Sequence, residues 1–246
     1  MRVLIVSDIH SNIVALEAVL ADAESTGAYD ELWCIGDTIG YGSAPNECVQ
    51  WMIDRASKAI NGNHDLACLN KVDLSDFNPD ARRANEWNGK QLTDQSRGWI
   101  ESLQPMIEVD DRFMLAHGSP REPVWEYLLT PSQALDNFHE FDAQVCLIGH
   151  SHVQLYFQLD PSGQCRRVLP DEDETLELGN TLRFFINPGS VGQPRDHDPR
   201  AAYAILDTTA GTVAFRRVHY DIARTQRHMF AVGLPSALIR RLELGM

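Results

Sequence analysis

The stretch Arg2-Val3-Leu4-Ile5-Val6-Ser7-Asp8-Ile9-His10 decides how the chain is read. Val3 to Val6 form a short apolar run, the pattern of a strand buried on both faces, and the run ends abruptly in polar residues. Residues 12–24 follow with Ile13, Leu16, Val19 and Leu20 on one helical face. Residues 31–35 read as a second buried strand, 46–55 as a second helix and 58–60 as a third short strand. Strand, helix, strand, helix, strand predicts a parallel βαβ sheet, so the fold class is α/β.

Beyond residue 65 the pattern is mixed. Residues 65–104 are largely helical, and strands are expected at 113–116 and 145–148. The runs 153–159, 183–186, 202–206 and 212–218 read as antiparallel strands, with Asp160-Pro161-Ser162-Gly163 as a hairpin turn. The acidic stretch 171–177 reads as a solvated loop and the tail from Tyr220 as helical, interrupted by Gly233 and Pro235. No repeat or low-complexity linker divides the chain. The expectation is one domain over 1–246, with 66–105 a helical insertion or lid and 220–246 a C-terminal tail.

The polar residues fall at strand ends. The first strand ends in Ser7-Asp8-Ile9-His10, the second in Gly36-Asp37, and the third in Asn61-Gly62-Asn63-His64-Asp65. The strand from Phe113 ends in His117-Gly118, and that from Val145 in Gly149-His150-Ser151-His152. Open α/β sheets bind ligands at the carboxyl ends of their strands. Any one cluster reads equally as a cap or a turn. Five of them together place hard and borderline metal ligands along one rim.

That set suits two divalent cations. Asp8 and His10 can share a site only if the chain turns after the strand, as Ser11-Asn12 suggests, and His150 and His152 repeat the spacing. Two such ions ~3.5–4 Å apart repel by on the order of 20 kcal/mol at an effective dielectric of ~20. A bridging carboxylate is therefore required, and Asp37 is the candidate. Carboxylate, amide oxygen and imidazole together exclude a thiolate zinc site and fit Mn, Fe, Zn, Co or Ni.

The series Asp8-x-His10, Gly36-Asp37, Gly62-Asn63-His64-Asp65, His117-Gly118 and Gly149-His150-x-His152 resembles the calcineurin-like metallophosphoesterases. The similarity spans residues 8–152, with Asn187-Pro188-Gly189-Ser190-Val191 as a further likeness downstream. It implies a four-layer α/β/β/α metallophosphoesterase sandwich. It also implies a cofactor of two divalent transition-metal ions, manganese favoured. Asp8, His10, Asp37 and His152 would hold one ion and Asp37, Asn63, His117 and His150 the other. The implied reaction is hydrolysis of a phosphate ester, a phosphodiester favoured, by a metal-bridging hydroxide. His64 would stabilise phosphate oxygen or protonate the leaving alkoxide, with Asp65 orienting it.

Departures narrow the comparison. Serine/threonine phosphatases of this superfamily carry Arg shortly after the bridging Asp and Glu after the Asn-His pair. Here Thr38-Ile39-Gly40-Tyr41-Gly42 and Asp65 stand instead. The chain looks closer to the small bacterial and archaeal phosphodiesterase-like group. Asn12, Gly189 and Ser190 are candidate phosphate contacts, although Gly189 and Ser190 read nearly as well as a plain turn.

Other signals stay open or fail. Gly40-Tyr41-Gly42-Ser43-Ala44-Pro45 has proline where a dinucleotide fingerprint needs glycine, and no GxxxxGK[ST] loop is present. Arg82, Arg83, Trp87 and Trp99 read as a base-stacking lid or as an ordinary helical insertion with core tryptophans. Arg195 and His197 could line the pocket or face water.

The chain carries 35 Asp and Glu against 21 Lys and Arg, a formal charge of −14, which argues against broad nucleic-acid binding. Two cations on Asp8 and Asp37 would still make the substrate site locally positive, so a small phosphate ester or nucleotide remains the expected partner. Five cysteines without CxxC spacing read as free thiols of a reducing cytoplasm. The apolar start is too short for a signal peptide, and residues 143–159, the longest stretch without Asp, Glu, Lys or Arg, fall short of a membrane span.

Three rivals accompany the phosphodiesterase reading. They are a dinucleoside polyphosphate pyrophosphohydrolase, a protein phosphatase, and a non-catalytic scaffold like the retromer subunit that resembles these enzymes. A scaffold should have lost part of the ligand set or His64, and nothing is missing.

Overall fold

The structure is a computed structural model describing residues 1–246. The first elements are β1 (Arg2–Val6), α1 (Ile13–Ser25), β2 (Glu31–Ile35), α2 (Pro45–Arg55), β3 (Ala56–Ile60) and α3 (Asn63–Cys68). The middle holds α4 (Pro79–Gln91), α5 (Asp94–Ser102), β4 (Met106–Glu108), β5 (Phe113–Ala116), α6 (Pro131–Asn137) and β6 (Val145–Ile148). Then come β7 (Gln154–Leu159), β8 (Cys165–Val168), β9 (Thr175–Glu177), β10 (Arg183–Pro188), β11 (Ala201–Asp207) and β12 (Thr212–Val218). The tail forms α7 (Ile222–Ala231) and α8 (Ser236–Arg241).

Two six-stranded mixed sheets result, in the orders β3-β2-β1-β11-β12-β9 and β4-β5-β6-β10-β7-β8. Alternation along each strand decides the layers. Val3 and Ile5 point into the core between the sheets, where they meet Trp33, Phe113, Leu147, Phe184 and Phe215. Leu4 and Val6 point outward and are covered by Leu16, Val19 and Leu20 of α1 and Met52 of α2. On the other sheet, Met114, Cys146 and Phe185 face outward against Ala134 of α6, Phe138 and Phe141. The outcome is the expected four-layer α/β/β/α sandwich, with the central strands β1, β2, β5, β6, β10 and β11 buried on both faces because each face has a cover.

Two expectations are corrected. Thr175–Glu177, expected as solvated loop, is an edge strand because Leu176 turns into the core beside Val213. The run from Arg183 was grouped with antiparallel strands, yet β10 pairs parallel with β6 and antiparallel with β7, which places it centrally. The 66–105 segment is also anchored. Ala81, Ala84, Asn85 and Asn88 of α4 are buried, with Trp87 and Trp99 partly buried against hydrophobic clusters. Arg82 pairs with Glu86 on the surface, and Arg83 donates to the Gly233 carbonyl of the tail.

All five cysteines are free, four of them buried. No helix is long and apolar enough to cross a membrane.

Candidate metal centre

The loops at the carboxyl ends of β1, β2, β5 and β6 converge with the first turn of α3. Asp8, His10, Asp37 and His152 bring one ligand atom each to within 4.8 Å of one another, and Asp37, His117 and His150 do the same beside them. His152 Nε2 lies 3.3 Å and His10 Nε2 3.8 Å from Asp8 Oδ1. Asp37 Oδ2 stands between the groups, 3.7 Å from His10 Nε2 and 3.3 Å from His117 Nε2. Asn63 Oδ1 is 3.2 Å from His117 Nε2. Every expected ligand is in one place, and Asp37 is shared.

The backbone is bent to achieve this. Asp8, His10, Asp37, His150 and His152 have φ of 53°, 50°, 51°, 64° and 58°. Such left-handed conformations are uncommon outside glycine and cost ~1–3 kcal/mol each, so they persist only where the surroundings hold them. Here the loops bond to one another: Asp8 N–H to Gly36 O, His10 N–H to Asp37 O and Ser11 N–H to Thr38 O. Asn187 donates to Gly149 O and Ser151 Oγ, fixing the loop that carries His150 and His152. The turn after β1 is thus what lets Asp8 and His10 face one site.

Electrostatics show what the cluster is built for. Asp8 Oδ1 and Asp37 Oδ2 are buried without any hydrogen-bond partner, and both face imidazole nitrogens. An unpartnered buried carboxylate oxygen is costly without a cation. Burial raises the Asp8 carboxyl to about 7. Burial would raise Asp37 too, but His117, His64 and His10 around it hold it below the usual carboxylate range. Burial pushes His10 and His152 well below their ordinary value and His150 to about 3, leaving neutral imidazoles with lone pairs to offer. His117 goes the other way: burial opposes its charge, but Asp37 and Asp8 raise it to about 9. Remaining ring nitrogens face carbonyls: His10 Nδ1 and Ile39 O, His117 Nδ1 and Ile35 O, His152 Nδ1 and Gln193 O. Those contacts orient the rings as metal-ligating histidines are oriented. The donor set fits divalent cations.

His64 stands beside this cluster, its ring 4.9 Å from that of His10 and 4.3 Å from that of Tyr41. Its Nδ1 is 2.8 Å from Asn85 Oδ1, on α4. Asp65, expected to orient it, bonds elsewhere: its carboxylate accepts from Thr38, Ile39 and Gly62 N–H and so fixes the loop after Asp37. Asn85 was not singled out in the sequence. Its only signal there was a second asparagine, Asn88, three residues on along the same helix.

The three candidate phosphate contacts are buried and bonded within the protein. Asn12 caps α1 through Ala15 N–H, accepts from Thr225 Oγ1 and donates to Gly192 O. Gly189 N–H is bonded to Asn187 Oδ1, and Ser190 Oγ donates to Asp8 O while accepting from Gln193 N–H. Their bonds shape the ligand loops. Around the site stand aromatic rings instead: Tyr127 stacks on His150 at 3.9 Å, and Phe77 lies 4.9 Å from His64 and 5.3 Å from Trp125. Arg195 reaches the same region, while His197 faces solvent.

Residues 1–211 match the model of the calcineurin-like phosphoesterase superfamily domain. The chain belongs to that superfamily. Among relatives of this calcineurin-like phosphoesterase is an uncharacterized protein of Methanocaldococcus jannaschii, 35% identical over 98% of this chain and 97% of its own. A crystal structure of a metallophosphoesterase from Sphaerobacter thermophilus is similar throughout, with 43% identity, a TM-score of 0.89 and coverage of 100% and 99% of the two chains. A symmetrical bis(5'-nucleosyl)-tetraphosphatase of Pectobacterium carotovorum is 27% identical over 130 residues, 51% of this chain and 46% of that enzyme.

Proposed function

We propose that this phosphoesterase is a dinuclear metal-dependent enzyme that hydrolyses a phosphate ester, a phosphodiester favoured. The observation that carries the reading is the pair of unpartnered buried oxygens, Asp8 Oδ1 and Asp37 Oδ2, each facing imidazole nitrogens of the cluster. Asp8, His10, Asp37 and His152 would hold one ion, and Asp37, Asn63, His117 and His150 the other. The ions would supply Lewis acidity and a nucleophilic water at neutral pH. Manganese is the favoured metal.

His64 is the group on this chain suited to the leaving alkoxide. Burial lowers it to about 4, so in the free protein it is neutral. An anionic phosphate beside the ring favours the imidazolium. Asn85 Oδ1 accepts from Nδ1–H and leaves Nε2 as the nitrogen that delivers the proton. Asp65 acts one step back, by holding the backbone after the bridging carboxylate.

A second reading is hydrolysis of a dinucleoside polyphosphate. The likeness to a bis(5'-nucleosyl)-tetraphosphatase supports it, as do Phe77, Trp125 and Tyr127 beside the site, since aromatic faces stack nucleobases. The deciding experiment is metal analysis of the protein, with hydrolysis of bis(4-nitrophenyl) phosphate and of dinucleoside polyphosphates in manganese. His64→Ala should lower turnover and keep the metals. A protein that binds no divalent transition metal would end both readings.

A further inference from the structure

We propose that Arg195 and Arg241 form a subsite for a second phosphate group of the substrate, beside the metal centre. The proposal rests on the phosphoesterase reading and narrows its substrate class to esters or anhydrides that carry a further anionic phosphate.

The two arginines come from distant parts of the chain. Arg195 follows the Asn187–Ser190 loop, and Arg241 ends α8 in the tail, beyond the residues matched by the superfamily model. Both guanidinium carbons lie 5.8 Å from the centroid of the same ring, that of Tyr41. Arg195 Nη2 bonds to Tyr41 Oη at 3.2 Å and to Gln193 Oε1 at 3.1 Å. Tyr41 in turn stands 4.7 Å from the His10 ring and 4.3 Å from the His64 ring. One aromatic ring therefore separates the arginine pair from a ligand and from the proposed acid.

Neither guanidinium pairs with an Asp or Glu side chain. No Asp or Glu carboxylate lies within 4 Å of either guanidinium, although Arg200, Arg216 and Arg217 nearby in sequence or sheet are all paired. Arg195 Nε is buried and has no hydrogen-bond partner, while Arg241 Nε donates to a main-chain oxygen of Met246, the last residue, and so keeps its Nη groups for another anion. Both residues line one surface pocket, with Asn78, Asp80, His197 and Leu238. Two partly buried cations held side by side cost energy: Arg241 is lowered by burial and then by Arg195. An anion placed between them would reverse that cost, and guanidinium forks match phosphate oxygens in geometry.

The tail is held where this requires it. Met229, Leu234, Leu238 and Leu242 pack around Tyr41 and against Ala81 and Ala84 of α4. Thr225 bonds to Asn12, and His197 N–H bonds to Gly245 O. Arg241 is thereby fixed at the site by a small hydrophobic core of its own.

The test compares inorganic pyrophosphate with orthophosphate by calorimetry on the full manganese-loaded chain, with manganese in excess over the anion. Pyrophosphate should bind about tenfold or more tightly than orthophosphate, from charge-assisted bonds to the second group. Arg195→Gln and Arg241→Gln should each remove most of that advantage and leave orthophosphate within about twofold, whereas Arg166→Gln, on the distant β8, should keep it. A pyrophosphate advantage that survives both substitutions, or is absent from the parent protein, overturns the proposal. Turnover of bis(4-nitrophenyl) phosphate, which has one phosphate, is read separately. A protein that prefers pyrophosphate but hydrolyses no phosphoester keeps the subsite and loses the catalytic reading.

Discussion

Asn85 Oδ1 lies 2.8 Å from His64 Nδ1, so a helix in the 66–105 segment holds the ring of the residue proposed to protonate a leaving group. Asn85→Ala should lower kcat on bis(4-nitrophenyl) phosphate about 10–100-fold, the usual effect of losing such an orienting bond, with metal content unchanged. Asn85→Asp should retain activity and move the basic limb of the kcat profile to higher pH, because a carboxylate favours the imidazolium. Metal loss in Asn85→Ala would show that the helix supports the ligands instead.

Asp37 serves both groups of ligands and Asp8 only one. Asp37→Asn should therefore remove both ions, and Asp8→Asn should weaken one, as read by metal stoichiometry after dialysis. Without metal the sign of the Asp8 effect reverses. Its carboxyl is raised by burial, so the neutral amide should stabilise the chelator-treated protein. At this chain length each kcal/mol corresponds to about 2–4 °C in Tm. A lower Tm for Asp8→Asn in chelator would contradict this.

Gly62 tests how closely Asp37, the proposed bridging carboxylate, is enclosed. A Cβ added there would collide with Asp37 Oδ1 and stand 2.7 Å from His117 Nε2. Gly62→Ala should weaken manganese binding about tenfold or more, seen by titration of the apoprotein. Gly163→Ala, in the β7–β8 turn with open space around it, should leave manganese binding unchanged and cost only about 1 kcal/mol for its positive φ of 85°.

Asp198 gives a pH dependence away from the metals. Burial would raise its carboxyl, but bonds from Arg200 and the charge of Arg217 lower it below the usual value. A carboxylate with a depressed folded pKa contributes stability that is complete above its unfolded value of ~3.9 and lost as pH falls through the folded value. The urea midpoint of the parent should exceed that of Asp198→Asn above about pH 4, and the gap should close as the pH drops further. A gap independent of pH would assign the effect to packing.

Much of this was legible in the sequence because period and punctuation agree. Val3 to Val6 and Glu31 to Ile35 are apolar without break and stop on polar residues, so both the strands and the rim could be read. The candidate ligands could be picked out because each lies shortly after such a stop. Leu176 escaped notice because one apolar residue among acids carries no period. Asn85 and Arg241 stand beside partners 21 and about 200 residues away, and no local pattern encodes contacts of that span. Asn12 and Ser190, candidate phosphate contacts in the sequence, also brace the loops of the site through bonds to Gly192, Ala15, Asp8 and Gln193, contacts that no local pattern announces.

The pairing of β1 with β11 has a consequence for how the molecule is made. All the proposed ligands lie at or before residue 152, yet β10 and β11, which complete the two sheets beneath them, come only with residues 183–207. Until then β1 and β6 present open edges with acidic and imidazole side chains already gathered nearby. A nascent chain in that state is exposed to mispairing along those edges. Closure of the sheets, a long-range and therefore slow event, is expected to be the step at which this protein acquires both its stability and the proposed metal site.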